Sequence, residues 1–172
     1  MRRTRLLEAG DAGVLARLVR ENREFLAPWD PVRPESYFTP AGQERVVAEA
    51  LLRQAAGGML AAVILDDDAA VVGRINLNNI VRGPFQSASL GYWVAEAAGG
   101  RGLATEAVAE VVGTAFGELG LHRVEAGTLV ANHRSQAVLR RNGFEQYGYA
   151  PGYLSIAGEW ADHLLFQRLA GS

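Results

Sequence analysis

The stretch Gly99-Gly100-Arg101-Gly102-Leu103-Ala104-Thr105-Glu106-Ala107 limits what this chain can fold into more than any other. Directly behind its glycines, Leu103, Ala107, Val108, Val111, Val112, Ala115 and Phe116 recur at helical spacing. Ahead of them, Ser87 to Val94 is rich in Leu, Tyr, Trp and Val and reads as a strand. The order is therefore strand, glycine loop, helix. Glycine lets backbone come close to a ligand, because no Cβ stands in the way. The first N–H groups of a helix lack internal partners and sit at the positive end of its dipole. Together these features make an anion site suited to a pyrophosphate. Two other phosphate motifs are excluded: the chain has no lysine for a P-loop, and the glycine spacing is not G-x-G-x-x-G.

At 172 residues, 49% of them apolar, the chain is expected to form one domain, 1–172, with a substantial core. A net charge of −2 gives no electrostatic reason to bind nucleic acid. With no cysteine, disulfides, thiolate metal sites and cysteine nucleophiles are excluded. No apolar run approaches membrane-spanning length. Arg2, Arg3 and Arg5 are basic, but Glu8 and Asp11 follow where a signal peptide needs an apolar stretch, so a cytoplasmic protein is expected. Asp66-Asp67-Asp68 reads as a solvated hairpin turn. Nothing at EF-hand spacing follows it, and no metal is expected.

In chain order, Thr4 to Glu8 is a short strand, and Asp11 is placed to cap a helix carrying Val14, Leu15, Leu18 and Val19. Residues 22–35 hold three prolines and have no regular period. Phe25, Leu26 and Trp29 make this segment either a packed surface loop or one wall of a binding site. Thr39 is an N-cap candidate for a helix from Pro40 to Ala56. Strands are expected at Met59–Leu65, Ala70–Leu77, Ser87–Val94, His122–Val130, Tyr153–Ile156 and Trp160–Leu169, with a short helix opening at Asn132. The pattern βααβββαβαββ predicts an α/β (α+β) fold: a twisted mixed sheet of about seven strands flanked by helices.

The glycine stretch also matches Q/R-x-x-G-x-G/A, the acetyl-CoA pyrophosphate loop of the GNAT acetyltransferases. Gly102 and Ala104 fill its last two defined positions, and Gly99 stands where that family usually has Gln or Arg. Asn132-His133-Arg134-Ser135, then Asn142-Gly143-Phe144 and Gly148, resembles the family's N-x-x-S…G-F…G segment. The loop from Asn22 to Ser36, the stretch Asn78 to Gly83, the pair Gly91-Tyr92 and the end Tyr153 to His163 resemble the RimJ/RimL branch, so the likeness spans nearly the whole chain. It implies the GNAT fold, acetyl-CoA as cosubstrate and an N-acetyltransferase. The implied acceptor is the N-terminal α-amine, an alanine, of a small-subunit ribosomal protein. In this reading Gly100, Arg101, Gly102, Leu103, Ala104 and Thr105 bind the pyrophosphate. Backbone at Trp93 and Val94 holds the pantetheine, one N–H facing the thioester oxygen. Asn132 bonds the pantetheine arm and Ser135 lies near the sulfur. Taken alone, Asn132 reads equally as a helix cap, and Trp93 as core.

Many members of the family place a tyrosine seven residues after that Asn to protonate the thiolate; here the position is Leu139, which leaves Ser135 as the group near sulfur. His122, His133 and His163 read as surface or packing residues. Asp30, Glu35 and Asp162 are the better candidates for a base, with Asp30 first. The acceptor is expected against Phe25, Trp29, Asp30, Glu35 and Asn78. An α-amine with a pKa near ~8 is roughly a tenth neutral at pH 7, and a lysine near ~10.4 well under a thousandth, so an α-amine needs less help from a base. Two alternatives are left open by the sequence: acetylation of a small amine, or acyl-CoA binding without turnover. Monomer and homodimer are both open.

Overall fold

The run Leu60–Leu65 is buried at every position after the first, as a strand covered on both faces must be. The rest of the sheet is laid around it. The structure is a computed structural model that describes residues 2–171. Met1 and Ser172, the ends of the expected domain, lie outside the described residues.

Seven strands pair in the order β1-β2-β3-β4-β5-β7-β6. They are β1 (Thr4–Leu6), β2 (Leu60–Leu65), β3 (Val71–Val81), β4 (Ser87–Val94), β5 (Arg123–Leu129), β6 (Glu145–Ile156) and β7 (Glu159–Leu169). All neighbours run antiparallel except β4 and β5. That parallel pair joins only Ser87–Ser89 to Arg123–Glu125, and beyond it the two strands part.

Strand alternation sends neighbouring side chains to opposite faces of the sheet. Ala62, Ile64, Ile75, Leu77 and Leu90 face α4 (Leu103–Gly117), which covers them with Leu103, Ala107, Val108, Val111 and Val112. Ala61, Val63, Leu65 and Trp93 face α1 (Ala12–Glu21) and α3 (Pro40–Ala55), where Leu15, Val47 and Ala50 meet them. Each face thus has its own core. None of the helices of the described residues is long and apolar enough to cross a membrane.

Three expectations change in detail. Thr39 caps α3 as expected, accepting from the Gly42 N–H at 3.1 Å, but Asp11 makes no side-chain cap. Its carboxylate is taken by the Arg5 guanidinium at 2.6 and 2.8 Å and by the Glu8 N–H at 2.9 Å. Burial pushes the Asp11 carboxyl up, but the bonds from Arg5 and Glu8 outweigh it and leave it below the usual carboxylate range. Strand β6 begins at Glu145 rather than Tyr153. Gly148, Pro151 and Gly152 look like turn residues, yet register shifts between Gln146 and Gly148 and between Ala150 and Leu154 absorb them as irregularities in one strand. Residues 22–35 are also not without regular structure. They form one helical turn, α2 (Arg23–Leu26), and a 3-10 turn at Ala27–Trp29.

Gly73 marks the closest approach of β3 to β4. A Cβ built there would sit 2.2 Å from the Trp93 carbonyl oxygen, which is backbone and cannot swing aside. Gly73→Ala should therefore destabilise the fold by about 1–3 kcal/mol, the usual cost of overpacking. Thermal denaturation measures this, and an unchanged melting temperature would show that the two strands separate freely at this point.

Candidate active site

The parting of β4 from β5 creates the site. From Leu90 to Val94 the edge of β4 facing β5 has no strand partner. A cavity of about 810 Å³ opens here. Its walls include Gly91, Tyr92 and Trp93 of β4, Ala126 to Leu129 of β5, Ser135 of α5 (His133–Arg141) and Asn132, the N-cap of that helix. Thr128 Oγ1 is buried in this wall without a hydrogen-bond partner.

On the α4 face, Gly102 is the N-cap with φ 81°, a left-handed conformation that few side chains accept. Gly100 is also left-handed, at φ 74°. The N–H groups of Leu103, Ala104 and Thr105 make no hydrogen bond, and the ladder begins with Glu106 N–H to the Gly102 carbonyl. The Leu103 side chain is buried and pins the turn to the core. Arg101 is held by Asp67 at 2.7 Å, and Asp67 also lies 2.7 Å from Arg3. Arg3 pairs in turn with Glu106, which offsets the negative charge beside this helix start. Asn142 ties the two glycine-bearing segments together: its Nδ2 donates to the Thr105 carbonyl at 3.1 Å and to Val138 at 2.9 Å.

At α5, Asn132 caps the helix, its Oδ1 accepting from the Ser135 N–H at 3.1 Å. This fixes Asn132 and leaves its amide N–H groups available. Ser135 Oγ lies 2.8 Å from the Tyr92 hydroxyl, which also approaches the Ser135 carbonyl at 3.3 Å. Burial pushes the Tyr92 phenol up to about 12, with the Ser135 bond a smaller opposing effect. Tyr92 therefore stays a protonated donor at neutral pH. Leu139 is fully buried in the core, so nothing polar from that position reaches the cavity.

The acceptor-side expectations divide. Trp29 and Asp30 line the cavity. Asp30 is gripped by Arg33, with Nε at 2.8 Å and Nη2 at 3.1 Å, and its carbonyl accepts from Ala157 N–H at 3.0 Å. Phe25 is not in the cavity wall: the α2 turn points Arg23 and Leu26 there instead. Glu35 is also outside, its side chain 81% exposed and paired with Arg23. Asn78 misses as well. It pairs with Ser89, where β4 and β5 are still joined, so no gap exists beside it. Asp162 accepts from Tyr149 and from Gly152 N–H, and these bonds hold its carboxyl below the usual range, which makes it a poor base.

Three residues to which the sequence reading gives no site role line the cavity: Tyr92, named only in the Gly91-Tyr92 pair, Arg74, and His163, read as a surface or packing residue. His163 is buried, and its Nδ1 lies 2.9 Å from the Ala161 carbonyl. A carbonyl only accepts, so Nδ1 donates to it, and Nε2 is the ring nitrogen left without a protein partner. The one signal in the sequence was alternation in β7, which sends His163 to the face opposite Asp162.

The profile of the acetyltransferase (GNAT) domain matches residues 3–145. This chain belongs to the GNAT acetyltransferase family. It is 37% identical over 162 residues to the [ribosomal protein uS5]-alanine N-acetyltransferase of Escherichia coli, covering 94% of this chain and 84% of that one. Its fold superposes on a ribosomal-protein-S5-alanine acetyltransferase from Vibrio fischeri with a TM-score of 0.93 and 30% identity, covering 98% of this chain and 93% of that one. Mycobacterium smegmatis RimJ in complex with CoA-disulfide gives a TM-score of 0.93 and 32% identity, covering 97% and 81%. The seven-stranded sheet parted at β4 and β5 is thus the GNAT sheet. Among the described residues no group of three or more His, Asp or Glu side chains is placed to hold a metal ion.

The position of Tyr92 has a spectroscopic consequence. The protein has five tyrosines. In an ultraviolet titration, the absorbance gained between about pH 9 and 11, where open phenols ionise, should be the same in Tyr92→Phe as in the parent. Loss of one tyrosine's amplitude in the variant would show that the Tyr92 phenol is open to water.

Proposed function

We propose that this GNAT domain transfers the acetyl group of acetyl-CoA to the N-terminal α-amine of a protein, an alanine of a small-subunit ribosomal protein, in the cytoplasm. The observation that carries the reading is the 37% identity to the Escherichia coli uS5-alanine enzyme over 94% of the chain. Supporting it is a cavity where β4 leaves β5.

Acetyl-CoA supplies an activated thioester, whose carbonyl carbon the amine attacks as the thiolate leaves. We assign the pyrophosphate to backbone at Gly100, Arg101 and Gly102 and to the free N–H groups of Leu103, Ala104 and Thr105, the donor set a helix start offers to an anion. The open edge of β4 at Trp93 and Val94 suits the pantetheine arm as a strand partner, with the Asn132 amide and the orphaned Thr128 hydroxyl as side-chain contacts. Ser135 donates to the departing sulfur and Tyr92 donates to Ser135 Oγ. The pair covers the part that the family resemblance gives to a tyrosine at position 139. Ser135 alone is a weak acid; a phenol hydrogen-bonded behind it makes proton release easier.

For the base we assign His163 Nε2 in place of Asp30. Both Asp30 oxygens are already bonded to Arg33. His163 stands in the cavity wall with Nδ1 bonded to the Ala161 carbonyl and Nε2 without a protein partner. Asp30 then acts as a positioning residue. It holds Arg33 and, through its carbonyl, anchors the turn at Ala157.

The decisive experiment is mass spectrometry of the protein with labelled acetyl-CoA and a panel of peptides and small amines. Label on the α-amine of alanine-starting peptides is expected. Label confined to small amines would replace the proposed acceptor, and no transfer to any amine would leave only the acyl-CoA-binding reading. With a peptide substrate, Ser135→Ala and His163→Gln should each lower kcat by about 100-fold, the scale of a lost acid or base, while KM for acetyl-CoA moves little. An Asp30→Asn variant losing more kcat than His163→Gln would return the base to Asp30.

A further inference from the structure

The cavity wall contains a cation without a counter-ion. Arg74 sits in the middle of β3, between Val63 of β2 and Trp93 of β4, on the face covered by α1 and α3. It is 8% exposed, and it makes no hydrogen bond or ion pair. Its Nε is fully buried without a partner. Two residues along the same face, Asn76 also lines the cavity, and its Oδ1 is buried without a partner. The nearby charges do not compensate Arg74. Arg33 is another cation, already matched by Asp30. Glu49, on α3, lines the cavity but is solvent-exposed and makes no ion pair with it. Desolvation therefore opposes the charge on Arg74 and Arg33 adds to that opposition, with the Tyr37 phenol a partial offset.

An isolated buried guanidinium is costly. Its fork of N–H donors fits a carboxylate with two parallel bonds. The neighbouring Asn76 oxygen is an acceptor suited to an N–H of the same ligand. We propose that Arg74 and Asn76 form a recognition site for a carboxylate on the acceptor, carried close to the amine that is acetylated. This rests on the acetyl-transfer reading above and adds the acceptor's charge to it. The carboxylate has two sources: an acidic side chain near the start of a peptide, or the α-carboxylate of a free amino acid.

Two arms of one experiment separate these sources. The first compares C-terminally amidated peptides that start with alanine and carry Asp or Asn at the second or third position. The second compares free alanine with alaninamide. Wild-type kcat/KM should favour the carboxylate member of one pair by about tenfold or more, the scale of a charge-assisted hydrogen bond. In Arg74→Met this ratio should fall close to one. Calorimetry with the N-acetylated products in the presence of CoA gives the same comparison without turnover, so the site is tested even if no acceptor is acetylated. Equal affinity for acid and amide products in the wild-type protein would sink the proposal while leaving the acetyl-transfer reading intact. A thermal scan provides the control. Removing an unmatched buried charge should leave the melting temperature of Arg74→Met the same or higher. A marked fall would make Arg74 a structural residue and overturn its assignment.

Discussion

The structure depends on a pairing that stops early. Parallel strands β4 and β5 share three residue pairs and then separate. Unpaired backbone groups inside a protein are costly, so such a gap needs other partners. On the β5 side α5 provides them. Asn132 N–H donates to the Leu129 carbonyl at 2.9 Å, and the buried Gln136 amide donates to Leu129 and Val130 at 3.3 and 2.9 Å. The end of β5 is thus tied to its own following helix rather than to β4. The facing edge of β4 keeps its groups free, which suits a ligand that pairs like a strand.

The same helix couples the two halves of the site. Its N-terminus places Asn132 and Ser135 against Tyr92, and at its C-terminus Asn142 reaches the first turn of α4. The bond to the Thr105 carbonyl leaves the N–H groups of that turn untouched. One short helix therefore sets both the group proposed to meet the sulfur and the donors proposed to meet the pyrophosphate. A small rotation of α5 would displace both, and Leu139, fully buried in the core, anchors the helix against it.

Much of this was legible in the chain, for reasons that differ by region. The glycine loop and its helix carry strong local signals, a left-handed turn followed by a 3.6-residue period, and tertiary packing did not alter them. The two Asn-containing segments were equally local. Residues 22–35 were harder, because prolines and single turns have no period from which to read a side chain's direction. That is why the sequence points to Phe25 and Glu35 as acceptor contacts while the cavity wall includes neither. Tyr92, Arg74 and His163 escaped for another reason. Each lies on a strand, and its importance comes from what a distant strand or helix brings beside it. The Gly91-Tyr92 pair was visible, but its contact with Ser135 spans 43 positions of sequence.

Charge placement on the sheet separates structural from functional ions. Among the described residues two formally charged side chains are buried, Asp11 and Arg74. Asp11 follows the ordinary rule for a buried ion: Arg5 and the Glu8 N–H satisfy it, and the arrangement fixes β1 against the turn that opens α1. Arg74 breaks that rule at the centre of the sheet, where an apolar residue would pack at lower cost. A sequence that leaves a cation and an amide oxygen unmatched side by side, with the Thr128 hydroxyl unpaired in the same cavity wall, has given up stability there. That place is the wall of the cavity where acetyl transfer is proposed, on the face away from the α4 N-terminus. The α4 N-terminus proposed for the pyrophosphate and the unmatched guanidinium thus lie on opposite faces of the same parted sheet, an arrangement in which the proposed cosubstrate and acceptor would meet at the gap from two sides.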